Sequence, residues 1–302
     1  MKRSVVRFFL SVVALSTLAA CDDGTNVSDT ARIRVLLTDA PSDYIASAMV
    51  DIGSVELLPA GGGERVVLTD DGTDGEVDLL DLQGLTTELL ADLEIPSDTY
   101  VQMRLIVESA SVMLADGYEF NSGGKTAELT VPSGAQTGIK LNLREDEEGD
   151  EESAGVQIAG GETVLVVDFD VNQSFRIQGS PETPAGISGV SFRPTLRVVV
   201  EDVAGSISGE LSTSITGQSL EGIVVNAGPV DPGVDEEFQS SMAGGMSDAN
   251  GAYTIFFLAP GSYNVTVETP DEVTTEPLST EVIVGESEDV TGVDFELVPV
   301  SG

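Results

Sequence analysis

The sequence predicts an all-β protein: two β-sandwich-like domains in tandem, with one short helix in the first, behind a cleaved leader. Three observations carry this reading. Apolar and polar residues alternate over short runs, as in Ile33, Val35 and Leu37, the period that turns one face of a strand to a core. Turn-forming clusters such as TDAPSDY (38–44) separate the runs, because Asp, Ser and Pro bend the backbone locally. Outside the leader only LLDLQGLTTELLADL (79–93) carries helical spacing, with Leu85, Leu89, Leu90 and Leu93 on one face. That helix must stop before Pro96, which disfavours a helical residue ahead of it.

The first residues read MKR, then an apolar run broken by Ser and Thr, then small residues. This is the layout of a secretory signal peptide, and the run is short of the roughly 20 apolar residues that a spanning helix needs. The segment ends Leu18-Ala19-Ala20-Cys21 and holds the chain's single cysteine. It resembles the lipobox of bacterial lipoproteins. The resemblance implies cleavage after residue 20, a diacylglyceryl group on Cys21, and an envelope protein anchored to a membrane by lipid, periplasmic or surface-exposed. One cysteine cannot close an internal disulfide, and two acyl chains suffice for stable anchoring. Residues 21–30 then read as the acylated cysteine and a polar tether.

Elements follow in order from Ala31. A strand over Ile33–Leu37 leads through TDAPSDY to AMVDIGSVELLP, where Gly53 is a candidate bulge. GGGERVVLT returns as a hairpin, and TDDGTDGEVDLL is an acidic loop before the predicted helix. In TYVQMRLIVESASVML, Val101, Met103, Leu105 and Val107 point one way. Strands are expected at KTAELTV, TGIKLNL, ETVLVVDFDV and PTLRVVVED; VLVVDFDV is nearly all apolar, as for a central strand covered on both faces. From Glu145 to Glu152 every residue but Gly149 is acidic, which reads as a solvated hairpin loop able at most to collect divalent cations weakly.

The blocks RVLLTDAPSDY, VDLLDLQGLTTELLADLEIPSDTYVQMRLIV, LTVPSGAQTGIKLNL, GETVLVVDFDVNQSFRIQG and GVSFRPTLRVV occur in the order found in the DUF4382 family, which this part of the chain resembles. The resemblance implies a compact β-rich domain, taken as residues 31–203, and no activity. A second unit, 204–302, holds Asp248-Asn250-Gly251-Tyr253 and Leu258-Pro260-Gly261-Tyr263. These pieces resemble the signature of carboxypeptidase regulatory-like modules, small transthyretin-like sandwiches that serve as spacers, stalks and accessory domains. Pro96 and Tyr100 in the first unit echo Pro260 and Tyr263 in the second with a different gap, which reads as shared turn chemistry and not as a repeat.

Composition narrows the function. The chain has 302 residues, 52 acidic against 13 basic, and a net charge of −39; the leader holds three of the basic residues, so its loss makes the rest more acidic still. Such a surface repels nucleic acid and anionic lipid and stays soluble. Its lysine-poor, acid-rich make-up also suits a salty medium, where screening lowers the cost of like charge. Histidine is absent, which removes the usual general base and the Ser-His and Cys-His pairs. With no Trp and 5% aromatics, stacking platforms are scarce.

The candidate sites are carboxylates. Counted from Asp70, the acidic loop places Asp74, Gly75, Asp78 and Asp81 near EF-hand positions, but the third place is Gly72 and the flanking RVVLT is strand-like. This speaks against an EF-hand and leaves a looser calcium site on a β-loop, with Asp70, Asp74, Asp78 and Asp81 as ligands, against a plain acidic turn. Asp39 and Asp43 form a second pair, with turn capping by Asp39 as the competing role. Asp168 and Asp170 alternate with Val167, Phe169 and Val171 and share one strand face; shielded from water they need a cation, a donor or raised pKa values. A carboxylate-based hydrolase would use such a pair about 5–9 Å apart.

The resulting expectation is a non-enzymatic interaction or structural module at a membrane surface, with a protein or glycan partner and calcium as the one candidate cofactor. A carbohydrate-binding accessory lipoprotein is the alternative, with Tyr118 and Phe120 or Tyr44 as its aromatic pair. The hydrolase is the second alternative.

Overall fold

The computed structural model describes residues 30–300, apart from 41–43, 69–75, 83–85, 132–136, 144–154, 181–185, 231–242 and 271. The predicted leader, Cys21 and the acidic run 145–152 lie outside the described residues.

Among the described residues, thirteen strands precede residue 201: β1 (Thr30–Ala40), β2 (Ile45–Pro59), β3 (Val66–Leu68), β4 (Glu76–Asp78), β5 (Thr87–Pro96), β6 (Asp98–Leu114), β7 (Thr126–Leu129), β8 (Ile139–Asn142), β9 (Val156–Ile158), β10 (Glu162–Asp170), β11 (Phe175–Ser180), β12 (Gly186–Phe192) and β13 (Leu196–Val200). They build a four-stranded sheet in the order β13-β10-β1-β5, a seven-stranded sheet centred on β2 and β6, and the β11-β12 ribbon. β1 and β10 run parallel, and the other pairs in these sheets are antiparallel. The register of β2 on β6 shifts around Gly53, where the sequence places a bulge.

One apolar core joins these sheets. Ile33, Val35 and Leu37 of β1 and Leu165, Val167 and Phe169 of β10 pack with Val50, Leu57, Met103 and Leu105. Every second residue of β1 and β10 therefore points into this core, the period-two geometry of a strand.

The all-β class holds, and no helix reaches seven residues among the described positions. The helix expected over 79–93 is not formed. Leu79–Leu82 make one 3₁₀ turn, and β5 takes the rest of the described part. The cause is a bulged pairing. Ile33 faces Leu93 and Val35 faces Leu90, so three steps of β5 match two of β1. A bulge inserts one extra residue and lets apolar residues recur at a spacing of three within a strand, which imitates a helical period.

Nine strands follow among the described residues: β14 (Gly205–Thr213), β15 (Val224–Pro229), β16 (Ala243–Met246), β17 (Ala252–Leu258), β18 (Gly261–Val267), β19 (Val273–Glu276), β20 (Thr280–Val284), β21 (Asp289–Thr291) and β22 (Phe295–Pro299). They form a sheet β17-β14-β22-β19, joined by β21, and a second sheet β16-β15-β18-β20. Ile207, Val225, Ile255, Val265, Phe295 and Leu297 share a second core between them. The expected Asp248 turn is present: the Asp248 carboxylate accepts from the backbone N–H of Asn250 and Ala252, at 2.8 and 3.0 Å, and Gly251 sits at φ +88°.

The two units meet across the far face of the first sheet, through a third, smaller apolar cluster. Leu36, Val166 and Val199 point away from the first core and pack with Val164, Ala204, Phe257 and Ala259. β10 is thus covered on both faces, and the second cover is the second unit.

Candidate functional site

Asp168 and Asp170 follow Val164 and Val166 on the outward face of β10, and both are 5% exposed. Two neighbouring strands fix what stands beside Asp168. Antiparallel β13 places Arg197 opposite it, and parallel β1 places Thr38 on its other side. The Arg197 guanidinium pairs with Asp168 Oδ2. It also donates to the main-chain carbonyls of Phe257 and, at 3.2 Å, of Phe256 in the second unit. One side chain from the first unit therefore holds both a buried carboxylate beside it and the backbone of β17. A guanidinium suits this task because its donors are several and fixed in one plane.

Phe257 sits at φ +55°, in the left-handed region. A non-glycine residue there costs on the order of 1–2 kcal/mol. The strained conformation occurs where the carbonyls of 256 and 257 both reach Arg197.

Asp168 Oδ1 is buried without a hydrogen-bond partner among the described residues. Burial pushes the Asp168 carboxyl up from its ordinary range, and the adjacent Arg197 charge pulls against that. Asp170 has a different neighbourhood. Its Oδ1 accepts from the Gln173 N–H at 2.9 Å and caps the helical turn Val171–Ser174. Burial, with further repulsion from Asp168 and Glu268, lifts its pKa to about 6, against the pull of the Gln173 bond. Glu268 follows β18, so the second unit adds a negative charge to the surroundings of Asp170.

A cleft of about 590 Å³ opens beside the joint. Thr38 and Asp168 form its first-unit wall. Glu221, Asp248, Phe256 and Phe257 are among the residues that line it from the second unit. The backbone of Gly244 and Gly245 lines it too. At Gly245 a Cβ would lie 2.3 Å from the Thr254 carbonyl, so the strand can approach β17 only without a side chain there.

The remaining sequence candidates do not gather into one place. Asp39 pairs through its backbone with Phe169 at the end of β1, and Asp43, Asp70 and Asp74 lie outside the described residues. Asp78 accepts from the N–H groups of Ala48 and Leu80 through Oδ1, at 3.0 and 3.2 Å; Asp81 is exposed in the 3₁₀ turn. Among the described residues, no group of three or more Cys, Asp or Glu could hold a metal ion. Tyr44 and Tyr118 do meet, edge to face with ring centroids 5.3 Å apart, whereas Phe120 is buried in the first core. Arg197, Glu268 and the Phe256-Phe257 pair were not singled out from the sequence. Their one visible signal is Arg197 itself, a cation inside the apolar run LRVVV of a chain poor in cations.

No curated protein matches the chain. Among solved structures, the minor pilin of Streptococcus agalactiae is 12% identical at a TM-score of 0.25, with 89% of this chain and 98% of that one covered. A streptococcal ancillary pilin is 11% identical at 0.25, with 90% and 63% covered. A type II cohesin–X-dockerin complex from Acetivibrio cellulolyticus is 18% identical at 0.20, and the match spans 30% of this chain and 56% of that one. The family described as "Domain of unknown function (DUF4382)" matches residues 30–183, half of the chain, from β1 through β11. The chain is a member of the DUF4382 family.

Proposed function

We propose that the chain is a non-enzymatic interaction or structural module of the bacterial cell envelope, held at a membrane surface by lipid on Cys21. The observation that carries this reading is the joint. Arg197 ties a buried carboxylate of the first unit to two carbonyls of the second, and an apolar cluster seals the same face. Two β units fixed in this way present one body at the end of a tether, which is what a spacer or presenting module needs. The second unit is read as a carboxypeptidase regulatory-like sandwich, on the strength of its Asp248-Asn250-Gly251 turn and the Pro260-Gly261-Tyr263 return. The buried carboxylates have structural tasks that favour this over a hydrolase: Asp168 is half of the latch and Asp170 caps a turn.

The anchor is tested in cells grown with labelled palmitate. The chain should take up label and partition with membranes, and Cys21→Ser should lose both. Label retained in the Cys21→Ser variant, or an unlabelled native chain in the soluble fraction, contradicts the anchor.

A carbohydrate-binding reading draws on one observation, the contact between Tyr44 and Tyr118 with Tyr44 38% exposed. A polysaccharide panel decides it. The reading requires binding that Tyr44→Ala weakens, and fails if the variant binds as well as the native chain.

A further inference from the structure

We propose that the cleft between the two units binds an organic cation carrying N–H donors, an alkylammonium or alkylguanidinium group, against Asp168. Three independent features converge there. Among the described residues, the charged side chains lining the cleft are those of Asp168, Glu221 and Asp248, with no lysine or arginine. Backbone donors hold Asp248 in its ionised form well into acid, so the cleft keeps negative charge over the physiological range. Asp168 is 5% exposed in the wall, and its Oδ1 has no donor among the described residues; a buried acceptor left unpaired is destabilising, and a matching donor relieves that cost. Phe256 and Phe257 line the same wall, and aromatic rings attract cations within about 6 Å.

The existing salt bridge does not fill this role. Arg197 pairs with Oδ2 and also donates to the carbonyls of 256 and 257. Oδ1 is left without a donor, and Asp168 lines the cleft. The volume, about 590 Å³, lies within the range of small-molecule sites. A free amine and the side chain of a basic partner offer the same group, and the chemistry recognised is the donor-bearing cation in either case. The inference goes beyond the anchored-module reading and does not need the lipid, so either can fail while the other stands.

The test is a backbone NMR titration of the purified chain with ethylammonium chloride, with tetramethylammonium chloride and sodium chloride at equal ionic strength as controls. Ethylammonium should give saturable shifts at Gly244, Gly245 and Thr254. Sodium should give none, and tetramethylammonium, a cation without N–H donors, should bind about tenfold more weakly. Asp168→Asn should weaken ethylammonium binding about tenfold, and Glu221→Gln about threefold through loss of rim charge. N-acetyl-arginine amide, run in parallel, reports whether a partner's side chain satisfies the site as well as a free amine. Equal binding of the two ammonium ions, or shifts that never saturate, overturns the proposal. Should Asp168→Asn fail to fold, the comparison between the two ammonium ions on the native chain still decides it.

Discussion

Asp168 and Asp170 stand two residues apart on one strand face, with the same burial, and they solve the cost of that burial differently. Asp168 takes a cation beside it, which a desolvated charge needs. Asp170 takes a backbone donor and a raised pKa of about 6. The sign of the second solution is testable. A folded-state pKa above the ordinary value of 3.8 means that the folded chain binds more protons than the unfolded chain between the two values. The stability contributed by protonated Asp170 is complete below the ordinary value and is lost as pH rises through about 6. Asparagine caps a helical turn as well as aspartate does and does not ionise. Asp170→Asn should therefore match the native chain at about pH 4 and exceed it by up to about 3 kcal/mol at about pH 8, read from urea unfolding at both pH values. An equal loss at both pH values would show that the carboxylate acts only as a cap.

The same two residues mark what the sequence could say. Alternation in VLVVDFDV was enough to place both carboxylates on a buried face and to require a partner or a shifted pKa for each. Nothing in it named Arg197, because that partner is set by the register of β13 on β10, a long-range pairing that local pattern does not encode. The calcium reading at Asp70, Asp74, Asp78 and Asp81 rested on spacing alone. At Asp78 the structure supplies a backbone task, the N–H groups of Ala48 and Leu80, of the kind Asp performs in turns.

At the scale of elements, turns were legible and the bulged strand was not. Pro96 with Tyr100 and Pro260 with Tyr263 share a device: each tyrosine hydroxyl donates to the carbonyl four residues back, Pro96 at 2.8 Å and Ala259 at 2.7 Å. The gap from proline differs, but the hydrogen-bonded corner is the same, and it recurs at strand starts in other sandwiches. Tyr100→Phe and Tyr263→Phe should each cost about 1 kcal/mol in denaturant unfolding; no loss in either would make the corners incidental. The Asp248 turn has a sharper requirement. Gly251 sits at φ +88°, and a Cβ there would lie 2.2 Å from the Leu211 carbonyl, whereas Gly217, at φ +87°, has nothing within 4 Å. Gly217→Ala should cost about 1 kcal/mol for the left-handed backbone alone. Gly251→Ala should cost about 3 kcal/mol or more, because the turn must also move. Equal costs would mean that the contact with Leu211 does not constrain the turn. β5 shows the limit of periodicity: leucines at 89, 90 and 93 satisfy a helix template, and only the bulged pairing with β1 reveals the strand. Pairing with a partner more than fifty residues away overrides a local period.

At the scale of the whole molecule, the outer face of the sheet β13-β10-β1-β5 decides the architecture. Its inner face follows the sequence pattern into the first core. Its outer face carries Leu36, Val166 and Val199, residues that a lone unit would leave in water. The apolar character of β10 on both faces was legible; the identity of its second cover was not, since two successive sandwiches need not touch. The family match ends at residue 183, ahead of β12, β13 and the second unit, so Arg197 and the carbonyls it holds lie beyond the matched part.

This joint should make the two units one cooperative body, a property that differential scanning calorimetry reads. The pair of proteins to compare is the native chain and the Asp168→Asn/Arg197→Met double variant, which removes the latch without stranding a buried charge. One cooperative transition is expected for the native chain and two separate transitions for the variant, because the units lose the contact that couples their unfolding. Two independent transitions in the native chain, or a single transition in both proteins, would contradict it.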